Sequence, residues 1–501
     1  MNSRVRALCD LSVDLSRESA GRHEYDGVLQ DLSPAGVRRS LAALGGPALE
    51  DPHDEAHLLT FENAARVVFE ELSLHRVNPL FHIGNLDLAW SDRDYAPEAE
   101  RAAARRRHLA GWPDAIEASI EALDSVPAPV AEATIGAARG LATGLKPGAD
   151  EITDRALAAH ERLLTHLDRL TASGPPETAL GGAGLARLLG SAEALEVDLS
   201  ELSARADSER DRLLALLTEA CSRIAPGRPV AATVAELLAD YPDAGGVLDE
   251  ARALTAEVIA WTAEHDLVPY QDGECLVGPA PESRQWAMAM MTWAAPGEGP
   301  GPSWYHVTPP RPEWPEQEQR EWLQVFSRTT LPAITVHEVA PGHFSHGIAL
   351  RHAAGNVRRN LFSESFIEGW AHYTEEMALQ EGFHGDDPRF AVGIAIEALV
   401  RVTRLACSIG LHTGAMTVAD AARRFEADAF LAGPAALSEA RRGTFDPTYG
   451  RYTWGKLAVL DTRERARVAW GADFSLPRFH AALMELGSPP LGLLGTAIER
   501  G

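Results

Sequence analysis

The stretch Thr335-Val336-His337-Glu338-Val339-Ala340-Pro341-Gly342-His343-Phe344-Ser345-His346 sets imidazoles and a carboxylate within a few positions of one another. Four of the 18 histidines lie between positions 337 and 352, and imidazole is the commonest metal ligand among side chains. His-Glu followed closely by His shares its chemistry with H-E-x-x-H. There, two histidines one helical turn apart bind zinc while the glutamate polarises a water. Here the second histidine, His343, comes six residues after the first. Six steps of about 100° leave it about 240° around a straight helix, on the wrong side. Pro341 removes a backbone donor and clashes with the preceding turn, while Gly342 admits unusual dihedrals. Together they can break the helix and return His343 to the side of His337. The competing reading is a kinked core helix with surface histidines.

Three further stretches carry possible chemistry. In residues 362–377, Phe366, Trp370, Tyr373 and Met377 share one helical face, and Glu364, Glu368, His372 and Glu375 share the opposite one. Periodicity alone favours an amphipathic helix with a solvated acidic face. Turned inward, that face would complete a two-histidine, one-carboxylate zinc site with a position left open. From Ala391 to His412 an almost wholly apolar helix bears one polar stripe: Glu397, Arg401, Arg404, Ser408 and His412. Such a stripe fits a buried helix facing a wet cavity, or a structural Glu397–Arg401 pair at i, i+4. Residues 446–456, DPTYGRYTWGK, read as a turn followed by a helix, with Arg463 beyond. Tyr, Arg and Lys near a metal can donate to an oxyanion.

These stretches need a framework, and the remaining sequence reads as helices. The chain has 501 residues, 45% hydrophobic and 24% charged, an ordinary globular balance that excludes disorder as the main state. Asp plus Glu number 72 and Lys plus Arg 46, a formal charge of −26. That excess repels phosphate backbones and anionic membranes, so neither nucleic acid nor membrane is an expected partner. The four cysteines are scattered, with no C-x-x-C pair, which argues against a cysteine zinc site or a disulfide framework. Residues 1–27 show no secretory signal pattern and no run suits a membrane span, so a cytoplasmic location is expected. Up to about residue 290 apolar residues recur at helical spacing, as at Leu213, Leu214, Leu216 and Leu217, then Leu237 and Leu238. Breaks fall at 146–148, 174–176 and 180–184, and the strongest at 295–303, APGEGPGPS. After it Trp304-Tyr305-His306-Val307, followed by prolines at 309 and 310, reads as a brief edge strand. The division expected is a helical region at 1–300, forming one wall of a channel, and a catalytic metal-binding region at 301–501.

Taken together, HEVAPGH at 337–343, EGWAHYTE at 368–375, RLACSIGLH at 404–412 and YTWG at 452–455 with Arg463 resemble a bacterial family. It is known as domain of unknown function 885. Its members carry H-E-x-x-P-G-H, E-G-W-A-x-Y-x-E, R-L-x-x-D-x-G-x-H, and a P-G-Q segment before Y-x-x-G. The match in order and spacing covers roughly residues 300–470. The family in turn resembles helical zinc peptidases of the thimet oligopeptidase and Taq carboxypeptidase type. That resemblance implies a mainly α fold, a helical zincin-like metallopeptidase architecture with at most one small β-sheet. It implies His337, His343 and Glu368 as ligands of one zinc ion and Glu338 as general base. Three positions depart from the family pattern: Ser408 replaces its Asp, the Gln of P-G-Q is missing before Tyr449, and His346 stands where Gln is usual.

The function expected is hydrolysis of peptide or amide bonds, in short peptides or a small amide metabolite. A metal-activated water would attack, with Glu338 as base, and Tyr452, together with His412 or Arg404, would stabilise the oxyanion. The alternatives are a non-haem iron enzyme on the same ligands and a catalytically silent binding protein of the same fold.

Overall fold

In a computed structural model of the chain, residues 1–501 are described apart from 282, 283, 285–287 and 432. Helix accounts for 66% and strand for 3% of the chain, as the helical spacing of its apolar residues demands. The N-terminal half begins with helices Ser3–Asp10 and Val13–Glu18. It continues through longer ones, including Glu98–Ala122, Glu151–Ser173, Gly181–Glu193 and Leu199–Ile224. Asp150 and Asp198 cap two of these by accepting from the second and third backbone N–H groups, which the helix cannot satisfy itself. The sequence breaks at 146–148 and 174–176 fall between helices, while the glycines at 181–184 open one.

The one sheet has three strands, β1 (Cys275–Gly278), β2 (Ala289–Thr292) and β3 (Ser303–Val307), in the order β1-β3-β2. β3 pairs parallel with β1, Val277 opposite Tyr305, and antiparallel with β2, Met291 opposite Tyr305. The edge assignment for Trp304–Val307 is therefore corrected: this is the central strand. Its prolines lie beyond the last paired residue and end the strand without touching the ladder. The partner strands, CLVG and AMMT, are four residues each and too short to announce themselves by alternation.

Residue 300 is not a boundary in the packing. The 295–303 break, read as the strongest in the chain, is the connection from β2 to β3 inside one sheet. A single hydrophobic cluster joins Leu185, Leu213, Leu217 and Val234 to Trp370, Leu399, Val402 and Phe425. Leu199–Ile224 lies along Pro388–His412. A buried charge network crosses the same seam. Lys456 donates to Glu209 at 3.0 Å and Glu376 at 2.8 Å, and Arg212 grips both carboxylates. Three hydrophobic clusters draw buried residues from both sides of residue 300, and a fourth, from Leu86 to Leu170, draws them from the N-terminal side.

Candidate metal centre

Helix Leu331–Glu338 starts with Pro332 in its first turn, where a missing N–H costs nothing. It stops at Glu338, and a new helix, His343–His352, begins five residues later. Every residue from 331 to 350 is buried, so this segment has no polar face for periodicity to reveal. The break is enforced at two points. The Ala340–Pro341 peptide is cis. At Gly342 an added Cβ would sit 1.9 Å from the His337 carbonyl oxygen, so only glycine lets the chain fold back this closely. Trp370 closes the turn by donating its indole N–H to the Pro341 carbonyl at 2.9 Å. The outcome is that the His337 and His343 rings stand edge to face, with centroids 4.7 Å apart.

The carboxylate comes from helix Glu364–Gln380, capped by the Ser363 hydroxyl, which accepts from Phe366 N–H. Its acidic face is solvated at Glu364 and buried further along at His372 and Glu375, which corrects in part the reading favoured by periodicity. Glu375 and His372 are fully buried, and Glu368 lies against both histidines. Glu368 Oε2 is 3.4 Å from Nε2 of His337 and 3.4 Å from Nε2 of His343. That is long for a hydrogen bond, and Glu368 Oε2 is buried without a hydrogen-bond partner. Donors about 2.1 Å from a tetrahedral ion lie about 3.4 Å from each other, so the span suits a shared metal. The ligand atoms of His337, His343 and Glu368 all fall within 4.8 Å of one another, the one such group among the described residues. By donor type and spacing, the residues fit a metal ion.

A second layer fixes the ligands. His337 Nδ1 donates to Glu375 Oε1 at 2.6 Å, which commits its Nε2 to the centre. Glu375 Oε2 accepts from Arg401 at 2.9 Å, and Arg401 lies 3.5 Å from Glu397. The Glu397–Arg401 pair, the alternative reading of the stripe, therefore exists, with Arg401 buried and Glu397 half-buried, and Arg401 also holds the partner of His337. Burial and Arg401 both disfavour a charged His337, yet Glu368 and Glu375 outweigh them and push its pKa up to about 9. Glu375 was placed on the acidic face by spacing, but its task was not legible. The available signal was its position two turns after Glu368 on the same face.

Glu338, the residue after His337, is buried, and its Oε2 has no hydrogen-bond partner. Tyr452 approaches from helix Arg451–Trp470, its ring 6.3 Å from that of His337. Two glycines make this approach possible. A Cβ on Gly369 would meet Gly455 backbone at 2.4 Å, and one on Gly455 would meet the Ser365 carbonyl at 1.9 Å. The helices carrying Glu368 and Tyr452 therefore touch backbone to backbone. Burial and Glu368 together push the Tyr452 phenol up to about 12, so it stays protonated and able to donate.

Two expected oxyanion donors are otherwise engaged. His412 bonds the Gly443 carbonyl through Nε2 at 2.9 Å and receives Leu180 N–H on Nδ1 at 3.3 Å. Both ring nitrogens are spent on backbone, so His412 holds loops together and is not a free donor. Arg404 gives two N–H groups to Glu439, at 2.8 and 2.7 Å, and meets the centre only by lying 5.5 Å over the Tyr452 ring. The positions that depart from the family pattern are also structural. Ser408 donates to the Pro447 carbonyl at 2.6 Å. His346 turns away from His343, its Nε2 3.2 Å from both the Gly487 carbonyl and Ser488 Oγ, and burial lowers its pKa to about 4.

Next to Glu368 and Tyr452 opens a cavity of about 410 Å³. Its far wall is made by Leu8, Cys9 and Leu15 of the first two helices. Glu364, Arg442, Asp446 and Arg451 line it as well; the sequence places Glu364 on the acidic face and Asp446 and Arg451 in the 446–456 stretch, and gives no sign of Arg442.

Two solved structures share this fold along almost the whole chain. One is a candidate lipoprotein of unknown function from Shewanella oneidensis, with TM-score 0.80 and 18% identity over 99% of this chain and 98% of that one. The other is a candidate lipoprotein from Colwellia psychrerythraea, with TM-score 0.77 and 17% identity over 99% and 97%. At that identity the likeness concerns the fold alone. No curated protein matches the sequence. The family described as "Bacterial protein of unknown function (DUF885)" matches residues 15–498, and the chain belongs to that family.

Proposed function

We propose that this protein is a metal-dependent hydrolase of peptide or amide bonds, acting on short peptides or a small amide metabolite. The architecture we read is that of a helical zincin-like peptidase. One observation carries the reading: two buried histidines, His337 and His343, converge with the half-buried Glu368, and Glu338, next in the chain to His337, is buried with an Oε2 that has no hydrogen-bond partner. His337, His343 and Glu368 would hold one ion, with zinc expected from two imidazoles and a carboxylate. The ion supplies Lewis acidity and activates water for attack on a carbonyl. Glu338 takes a proton at Oε2 and returns it to the leaving amine. Tyr452 keeps its phenolic proton and donates it as a hydrogen bond to the developing oxyanion. Glu375 and Arg401 keep His337 in one tautomer and one orientation.

The same three donors also suit non-haem iron. The orphaned Glu338 oxygen favours hydrolysis, since a proton acceptor in that place has no evident use in oxygen chemistry. The cavity volume lies at the low end of the roughly 300–1,000 Å³ of small-ligand sites, which supports short substrates over folded proteins.

The test is Glu338→Gln, assayed against short blocked peptides and simple amides. It should keep its metal by elemental analysis and lose about 10² to 10⁴-fold in turnover. Full turnover with metal bound would overturn the proposal.

A further inference from the structure

The cavity beside the candidate metal centre is lined by two arginines, Arg442 and Arg451, and three carboxylates, Glu364, Glu368 and Asp446. Asp446 is shared by two guanidinium groups. Its Oδ1 accepts from Arg451 at 2.8 Å and its Oδ2 from Arg442 at 3.0 and 3.2 Å. Two cations thus lean on one enclosed anion. The second carboxylate available to Arg451, Glu364, is 58% exposed. Its Oε2 lies 3.1 Å from Arg451 Nε but off the N–H direction, and that Nε is buried without a hydrogen-bond partner. Arg451 itself is only 13% exposed and its guanidinium is held firmly protonated by Glu364 and Asp446 against the cost of burial. It also opens a 20-residue helix, whose N-terminal dipole adds positive potential. The next residue along, Tyr452, and the ligand Glu368 line the same cavity.

We infer that Arg451, with Arg442 behind it, binds a carboxylate of the substrate in this cavity, and that Glu364 occupies its place until substrate displaces it. This deepens the hydrolase reading and rests on it for the word substrate. Guanidinium is the side chain best matched to a carboxylate, because its planar fork offers two parallel N–H donors. The loose, solvent-facing Glu364 is easily replaced by a carboxylate that meets Arg451 in line. Asp446 stays where it is, because two arginines hold it. The carboxylate has two sources in a short peptide, its C-terminus or an acidic side chain near the scissile bond.

The experiment is calorimetric titration of the metal-loaded protein with N-acetyl-leucine, N-acetyl-leucinamide, the 1-amide of N-acetyl-glutamic acid, and leucinamide. N-acetyl-leucine should bind about 10- to 100-fold tighter than its amide, the range of a charge-assisted contact. Arg451→Gln should erase that preference at unchanged metal content, and Arg451→Lys should restore part of it. Glu364→Gln removes an exposed competitor without threatening the fold and should tighten N-acetyl-leucine. Tight binding of the glutamic 1-amide assigns the contact to a side-chain carboxylate, and its absence assigns it to the C-terminus. Equal binding of acid and amide overturns the inference. So does a preference that survives Arg451→Gln, which would put the carboxylate on the metal. Tightest binding by leucinamide, lost in Glu364→Gln, would make this an ammonium site and overturn it as well. The two proposals fail separately. Cleavage of peptide acids and peptide amides at equal kcat/KM removes the carboxylate pocket and leaves the hydrolase. Arg451-dependent acid binding without any turnover removes the hydrolase and leaves the pocket.

Discussion

Glu375 Oε1 receives the Nδ1 proton of His337 at 2.6 Å, inside a region where both side chains are buried. This bond selects which imidazole nitrogen faces the other two donors. Glu375 is in turn held by Arg401, so the ligand's orientation is set three residues deep. Glu375→Gln keeps the shape and loses the charge. We expect its zinc affinity to fall about 10- to 100-fold, read by competition with a chromogenic chelator. Unchanged affinity would mean that the bond does not organise the site.

The two nearby histidines should behave oppositely. His343→Ala removes a donor from the converging set and should abolish stoichiometric metal by elemental analysis. His346→Ala should retain it, because His346 faces Gly487 and Ser488. Loss of metal in His346→Ala with retention in His343→Ala would show that the wrong histidine has been assigned.

Tyr452 and His412 separate a donor at the site from a structural clasp. Tyr452→Phe should bind metal normally and lose about 10² to 10³-fold in turnover. His412→Ala should leave turnover near the native value, yet cost about 1–3 kcal/mol in chemical denaturation, because two backbone groups lose their partner. Comparable losses of turnover in both would return His412 to the oxyanion role.

Glu193 gives the fold a pH dependence of its own. It is buried, accepts from Ser363 Oγ and from Leu491 N–H, and is pushed up to about 7 by burial despite those bonds. In the unfolded chain the same carboxyl ionises near 4.5, so between these values the folded state holds a proton that the unfolded state has released. Stability therefore falls as pH rises through that window, by up to about 3 kcal/mol. Glu193→Gln should remove this slope, seen as the difference between denaturation of the two proteins at pH 5 and at pH 8. Parallel curves at both pH values would refute it.

The sequence alone determined the class of fold and which residue types are available to the centre. Helical spacing is a local property, set by which faces are apolar, and it predicts a mainly helical chain. The pair Pro341-Gly342 is likewise local, and it allows a break that brings His343 back beside His337, which the six-residue spacing forbids on one straight helix. Only the tertiary structure decided what those residues do. Residues 331–350 are buried on every side, so no polar stripe marks them. The acidic face of Glu364–Gln380 reads as solvated until Arg401 and the histidines are placed against it, since a buried charge differs from an exposed one only by its partners. The centrality of β3 depends on two strands, CLVG and AMMT, whose nearest ends lie 25 and 11 residues away and which pair with it only after the chain has folded. His412 has the residue type and the position of a donor, and it is the carbonyl of Gly443 and the N–H of Leu180, remote in sequence, that occupy its two ring nitrogens.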